Sequence, residues 1–175
     1  VKRYFLIALL LGISSNVTAS IDWSSPSTCN IEGSNNLDEI INQMTLRQKI
    51  GQIIMPDIQY VTPEEAKKYQ LGSILNGGGS WPNNKKTSTV QDWQNLSKAY
   101  YDASPVIGDQ IVPIIWGTDA VHGHSNVIGA TVFPHNIGIG ATQDTDLIKR
   151  IAGVVAKEVL STGIVWTFAP TITVP

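Results

Sequence analysis

Three stretches of this sequence combine residue types and spacings suited to chemistry, and each follows an apolar run. Gly77-Gly78-Gly79 follows Leu71 to Leu75 after a single Asn76. Asp119, His122 and His124 follow the run Ile111 to Trp116, and Ala169-Pro170 closes the run that begins at Ile164. Asp119 is the sharpest of these. A carboxylate at the end of a buried strand must be paired or solvated, and its two oxygens can accept hydrogen bonds from two neighbouring hydroxyls of a sugar. The alternative is local: Asp119 caps the next turn or accepts from the amides of Val121 and His122. Three adjacent glycines either bring backbone N–H donors close to a ligand or form a simple turn. They are not a nucleotide loop, because neither a Gly-x-Gly-x-x-Gly series nor a Lys-Ser/Thr pair follows. His122-Gly123-His124 is a spacing that can hold a divalent metal through neutral imidazoles. The third ligand is hard to find, since His135 stands after Phe133-Pro134 and no Glu-x-x-His or cysteine partner exists. The competing reading has both histidines bonding backbone or supporting groups, with Asn126 and Asn136 holding the same loop through their amides.

These residues need elements to position them. Leu37, Ile40, Ile41 and Met44 recur at helical spacing, and Thr45 caps a second short helix reaching Ile54. Thr62-Pro63-Glu64-Glu65 is a helix start leading to Tyr69. From Thr87 to Ala103, Val90, Trp93, Leu96, Ala99 and Tyr100 share one helical face, which makes Trp93 and Tyr100 core residues. Asp144 to Asp146 open a helix that ends near Ser161-Thr162-Gly163. Apolar strands are predicted at Leu71 to Leu75, Ile111 to Trp116 and Ile164 to Ala169. The alternation of strand and helix predicts an α/β parallel sheet, either open and doubly wound or the opening of an eight-stranded barrel. Function in either belongs at the carboxyl ends of the strands, where the three stretches lie.

The whole chain of 175 residues has a formal net charge of -2 and only 15% charged residues, which excludes the basic excess of a nucleic-acid binder. No repeat period is visible. Lys2 and Arg3, the apolar run Tyr4 to Ile13 and the small-residue exit Val17-Thr18-Ala19 predict a signal peptide over residues 1–19 and a secreted or periplasmic product without a membrane anchor. Residues 20–36 form a polar linker ahead of the domain at 37–175. Cys29 is the only cysteine, so no internal disulfide exists and a free thiol is expected.

Taken together, Met44-Thr45-Leu46 through Gln52, Leu71 to Ser80, Gly117 to His124 and Gly129 to Asn136 resemble, in order and spacing, the first domain of family 3 glycoside hydrolases. Exo-acting 1,3/1,4-β-glucanases are the nearest in kind, and the likeness runs from about Leu37 to Pro175. The resemblance implies the N-terminal part of a (β/α)8 TIM-type barrel that removes glucose from non-reducing ends with retention. It implies an Asp nucleophile, a Glu acid/base and no catalytic metal or organic cofactor. It assigns Asp119 to the hydroxyls of the terminal glucose of a β-glucan or β-glucoside, Gly78 to the lining of that pocket, and His122 to a place beside it. A complete barrel takes about 250 residues, and the three strand signals account for less than half of one. The family's Arg-containing segment, Lys-His pair, nucleophile and acid/base are therefore expected beyond Pro175, in the remainder of the same enzyme. Asp57, Asp92, Asp102, Asp109, Asp144 and Asp146 stand in helical or loop contexts, and none is assigned as nucleophile.

Overall fold

The computed structural model describes residues 37–171, so the predicted signal peptide, the linker and Cys29 lie outside the described residues. Two short helices open it, α1 (Leu37–Gln43) and α2 (Leu46–Gln52). They break at Thr45 because its hydroxyl accepts from the Gln48 N–H while the Gln48 side chain returns to the Thr45 N–H, a reciprocal capping box. The same device starts α3 (Pro63–Tyr69) at Thr62 with Glu65, and Pro63 occupies the first helical position, where no N–H is needed.

A parallel sheet follows, with strands β1 (Ser73–Asn76), β4 (Ile115–Thr118) and β5 (Trp166–Thr167) side by side in that order. Ser73 pairs with Ile115, Asn76 with Thr118, and Gly117 with Trp166. The crossovers are the helices α4 (Val90–Asp102) and α6 (Thr145–Ser161), each capped at its start, by Thr89 and by Asp144. Gly163, at a φ of +82°, ends the second crossover where the sequence places a terminator. On the other side of β1, Ile58 N–H donates to Leu75 O and Leu75 N–H to Pro56 O, so the segment around Asp57 extends the sheet.

The core lies between one face of this sheet and the helices. Ile74 and Trp116 meet Trp93, Tyr100, Val155, Val159 and Ile164, all buried. Trp93 and Tyr100 approach the Trp116 ring at 5.9 and 5.6 Å, the latter edge-on, as aromatic quadrupoles prefer. The Tyr100 hydroxyl, held above its ordinary pKa by burial and by the carboxylates of Asp57, Glu64 and Glu65, donates to Val61 O at 2.6 Å.

Three expectations require correction. The run Ile111 to Trp116 is not one strand: β4 starts at Ile115, while Gln110–Ile111 (β3) pairs antiparallel with Val106–Ile107 (β2) in a hairpin. Pro113 lacks a ladder donor, and the neighbouring amides turn away, Val112 N–H to Pro105 O and Ile114 N–H to the Ser104 hydroxyl. The third strand narrows to Trp166–Thr167, because Ile164 leaves the ladder to fill the core. Ile164 is thus fully covered, whereas Trp166 is 41% exposed. The first strand is displaced to Ser73–Asn76, and Leu71 packs below it. A short helix α5 (Asn136–Gly140) has no counterpart among the predicted elements.

Candidate functional site

The carboxyl edge of the sheet brings together the ends of β1, β4 and β5. Since Asn76 pairs with Thr118, Gly77 and Asp119 leave adjacent strands at the same level. Beyond β1 the chain makes a β-turn, Ser80 N–H donating to Gly77 O at 3.2 Å with Gly78 and Gly79 at its tip. Neither tip residue has a positive φ, and a methyl group at Gly78 would meet nothing within 4 Å. The turn therefore does not require glycine at position 78 for backbone reasons. What glycine leaves there is open space.

Asp119 is exposed and accepts no hydrogen bond from any described residue, including the amides of Val121 and His122 that a cap would use. Its carboxylate stands at the edge with both oxygens available. Gly117, two residues earlier on the same face of β4, makes room for rings from the neighbouring strand. A Cβ there would lie 2.6 Å from the Phe168 ring and 3.0 Å from that of Trp166. These two rings meet edge to face at 4.9 Å, and Phe168 N–H donates to Thr118 O, which seats Phe168 beside the start of the Asp119 loop.

The two histidines of the His-x-His pair part company. His122 Nδ1 lies 2.8 Å from Phe133 O; a carbonyl only accepts, so Nδ1 carries the proton and Nε2 is left as the open position. Its ring packs against His135 at 5.4 Å. His124 is buried beside Trp93, with Nε2 at 3.2 Å from the Thr162 hydroxyl. That hydroxyl already donates to Val159 O, so His124 Nε2–H is the donor. Burial pushes its pKa down to about 4. A shared metal is not what this pair builds, and among the described residues no three His, Cys, Asp or Glu side chains come together.

The supporting amides do hold the loop. Asn126 Nδ2 donates to Gly77 O at 2.7 Å, and Asn136, oriented to satisfy its neighbours, donates to Val121 O and accepts from Thr171 N–H, each at 3.3 Å. The sequence gives no sign of Asp57. Its carboxylate accepts from Gly77 N–H (2.9 Å), Gln59 N–H (2.8 Å) and the Ser80 hydroxyl (2.7 Å), so it is spent on the glycine turn.

Fold and edge define an α/β domain of the kind that binds ligands at the carboxyl ends of parallel strands. Residues 45–175 match the glycosyl hydrolase family 3 N-terminal domain, and the chain belongs to that family. It is 31% identical over 150 residues to a lysosomal beta glucosidase of Dictyostelium discoideum, across 77% of this chain and 18% of that protein. It is 27% identical over 141 residues to a periplasmic beta-glucosidase of Salmonella typhimurium, across 78% of this chain and 16% of that one. The exo-1,3/1,4-beta-glucanase of a Pseudoalteromonas species superposes with a TM-score of 0.71 at 49% identity, over 77% of this chain and 17% of that structure. A family 3 beta-N-acetylglucosaminidase from a Paenibacillus species superposes at 0.58 with 24% identity, over 73% of this chain and 24% of that one; it shows the shared fold alone. The chain thus spans less than a fifth of the length of these curated relatives.

Proposed function

We propose that this chain is the first part of a retaining exo-β-glucosidase or β-glucanase, and that its sheet edge holds the terminal glucose of a β-glucan or β-glucoside. Asp119 accepts from two ring hydroxyls, Gly78 leaves room for the sugar, and His122 lines the same pocket through its free Nε2. Charge-assisted hydrogen bonds of this kind are stronger than neutral ones, and the part that tightens in the transition state speeds the reaction. Hydrolysis with retention needs a nucleophilic carboxylate and a carboxylic acid, which other parts of the enzyme supply around the glucose positioned here. The barrel continues from the three parallel strands, and the product is exported after removal of residues 1–19. No metal or organic cofactor takes part. Among the described residues no helix is long and apolar enough to cross a membrane.

The observation that carries this reading is the Asp119 carboxylate, exposed and without a hydrogen-bond partner at the strand edge, level with a glycine turn that keeps space open. The glucosidase and glucanase names of the relatives support the substrate class. The test is Asp119→Asn and Asp119→Ala in the complete enzyme. Loss of a bond to a charged group lowers kcat/KM for an aryl β-glucoside by roughly ten- to a hundredfold. Wild-type kinetics in Asp119→Asn would remove Asp119 from the site.

A further inference from the structure

Resting on that reading of Asp119 and Gly78, we infer that Asp57 is a positioning residue of the glucoside site: it sets the glycine turn against the Asp119 loop without touching sugar. The turn has no side chains of its own at residues 77 to 79, so hydrogen bonds alone fix its place. Gly77 is held at both ends of its peptide groups, its N–H by Asp57 and its C=O by Asn126. Ser80 donates its hydroxyl proton to Asp57 and accepts from Gln59 Nε2 at 2.7 Å, and the same Gln59 nitrogen donates to Gly79 O at 2.7 Å. Asp57 itself is carried by the segment hydrogen-bonded along β1.

Asn126 belongs to the loop that begins at Asp119. The network therefore ties three chain segments, 57–59, 77–80 and 119–126, into one unit that carries Gly78, Asp119 and the open Nε2 of His122. A sugar hydroxyl gains full strength from a donor or acceptor only when both are in place before binding, within a fraction of an ångström. Three donors converge on the Asp57 carboxylate, two of them backbone N–H groups on different oxygens. An asparagine can accept from only one of those N–H groups, because its own NH2 must face the other. Asp57→Asn thus keeps size and shape while breaking the clamp.

The experiment uses the complete enzyme, with Asp57→Asn, Asn126→Ala, Asp119→Asn, the Asp57/Asp119 double variant, and Lys98→Ala as a surface control. Asp57→Asn is expected to lower kcat/KM for an aryl β-glucoside about tenfold and to weaken inhibition by glucose to a similar degree. Both limbs of the pH profile are expected to stay in place, because Asp57 handles no proton of the reaction. The double variant should fall short of the product of the two single losses, since both act on the same bound sugar. Asp57→Asn within twofold of wild type, or losses that multiply, would overturn the positioning role. Should Asp57→Asn not fold, Asn126→Ala, with its own Asp119→Asn double variant, must show the same loss and the same coupling, and its failure to do so overturns the inference equally. Normal kinetics in Asp119→Asn would instead sink the functional reading on which this one rests.

Discussion

His122 and His124 stand two residues apart in different surroundings, because one ring is partly exposed against Phe133 O and His135 and the other is buried in the core. His124 has its pKa depressed to about 4 by burial, below the ordinary 6.5. The folded state therefore binds fewer protons than the unfolded chain between these values. Stability from neutral His124 is complete above pH 6.5 and is lost as pH falls toward 4. Between pH 7 and pH 5 the loss is about 2 kcal/mol. Urea midpoints at the two pH values are expected to show it, and His124→Gln should remove most of the difference. Gly78 makes the complementary case. With no strained φ and no neighbour to strike, Gly78→Ala should leave stability unchanged or raise it by up to about 1 kcal/mol, through the less flexible unfolded chain. On the proposed reading, glucoside turnover in the complete enzyme should nevertheless fall, because the methyl group enters the space that the proposal assigns to the sugar. A variant as active as wild type would mean that Gly78 lines nothing.

At the scale of elements, local chemistry was legible where its partners lie within one turn of chain. Thr62-Pro63-Glu64-Glu65 forms its capping box over three residues, and Trp93 and Tyr100 mark the buried face of α4 by spacing alone; its cap, Thr89 boxed with Asp92, lies two residues inside the Thr87 start that the spacing predicts. Thr89→Ala should therefore destabilise the domain by about 1 kcal/mol, read as a lower denaturation midpoint, by leaving an N-terminal amide of α4 unpaired. The β2–β3 hairpin did have a signal, the turn pair Gly108-Asp109 between Val106-Ile107 and Gln110-Ile111, which the longer run through Trp116 overshadowed. Asp57 had none. Gly77 and Ser80 lie 20 and 23 residues away in sequence, and only strand pairing brings them to it. Asp119 was readable as a candidate because a lone carboxylate after an apolar run is conspicuous, but its freedom from capping bonds is visible only in three dimensions.

At the scale of the molecule, the sheet has one face in the core and one only partly covered, where the Phe168 ring lies over the buried Gly117 and its neighbours stay open. Ile115, Gly117 and Trp166 share the second face, with Ile115 47% and Trp166 41% exposed. Parallel strands are ordinarily covered on both sides, since their crossovers and neighbours bury them. An apolar surface of this kind in water favours association. Among the described residues of the strand edge, the Asp57 carboxylate is consumed by three donors, which leaves that of Asp119 free. Retaining hydrolysis needs two working carboxyl groups about 5 to 5.5 Å apart, so a single free carboxylate such as that of Asp119 does not cleave a glycosidic bond. The 175-residue chain expressed by itself is thus expected to bind a hydrophobic dye, to elute from a sizing column above its monomer mass, and to leave aryl β-glucosides and β-1,3-glucan uncut. Turnover well above a mock preparation, abolished by changing a single Asp or Glu within residues 20–175, would show that a complete catalytic pair exists in this chain. A dye-silent monomer would show that the second face of the sheet is covered.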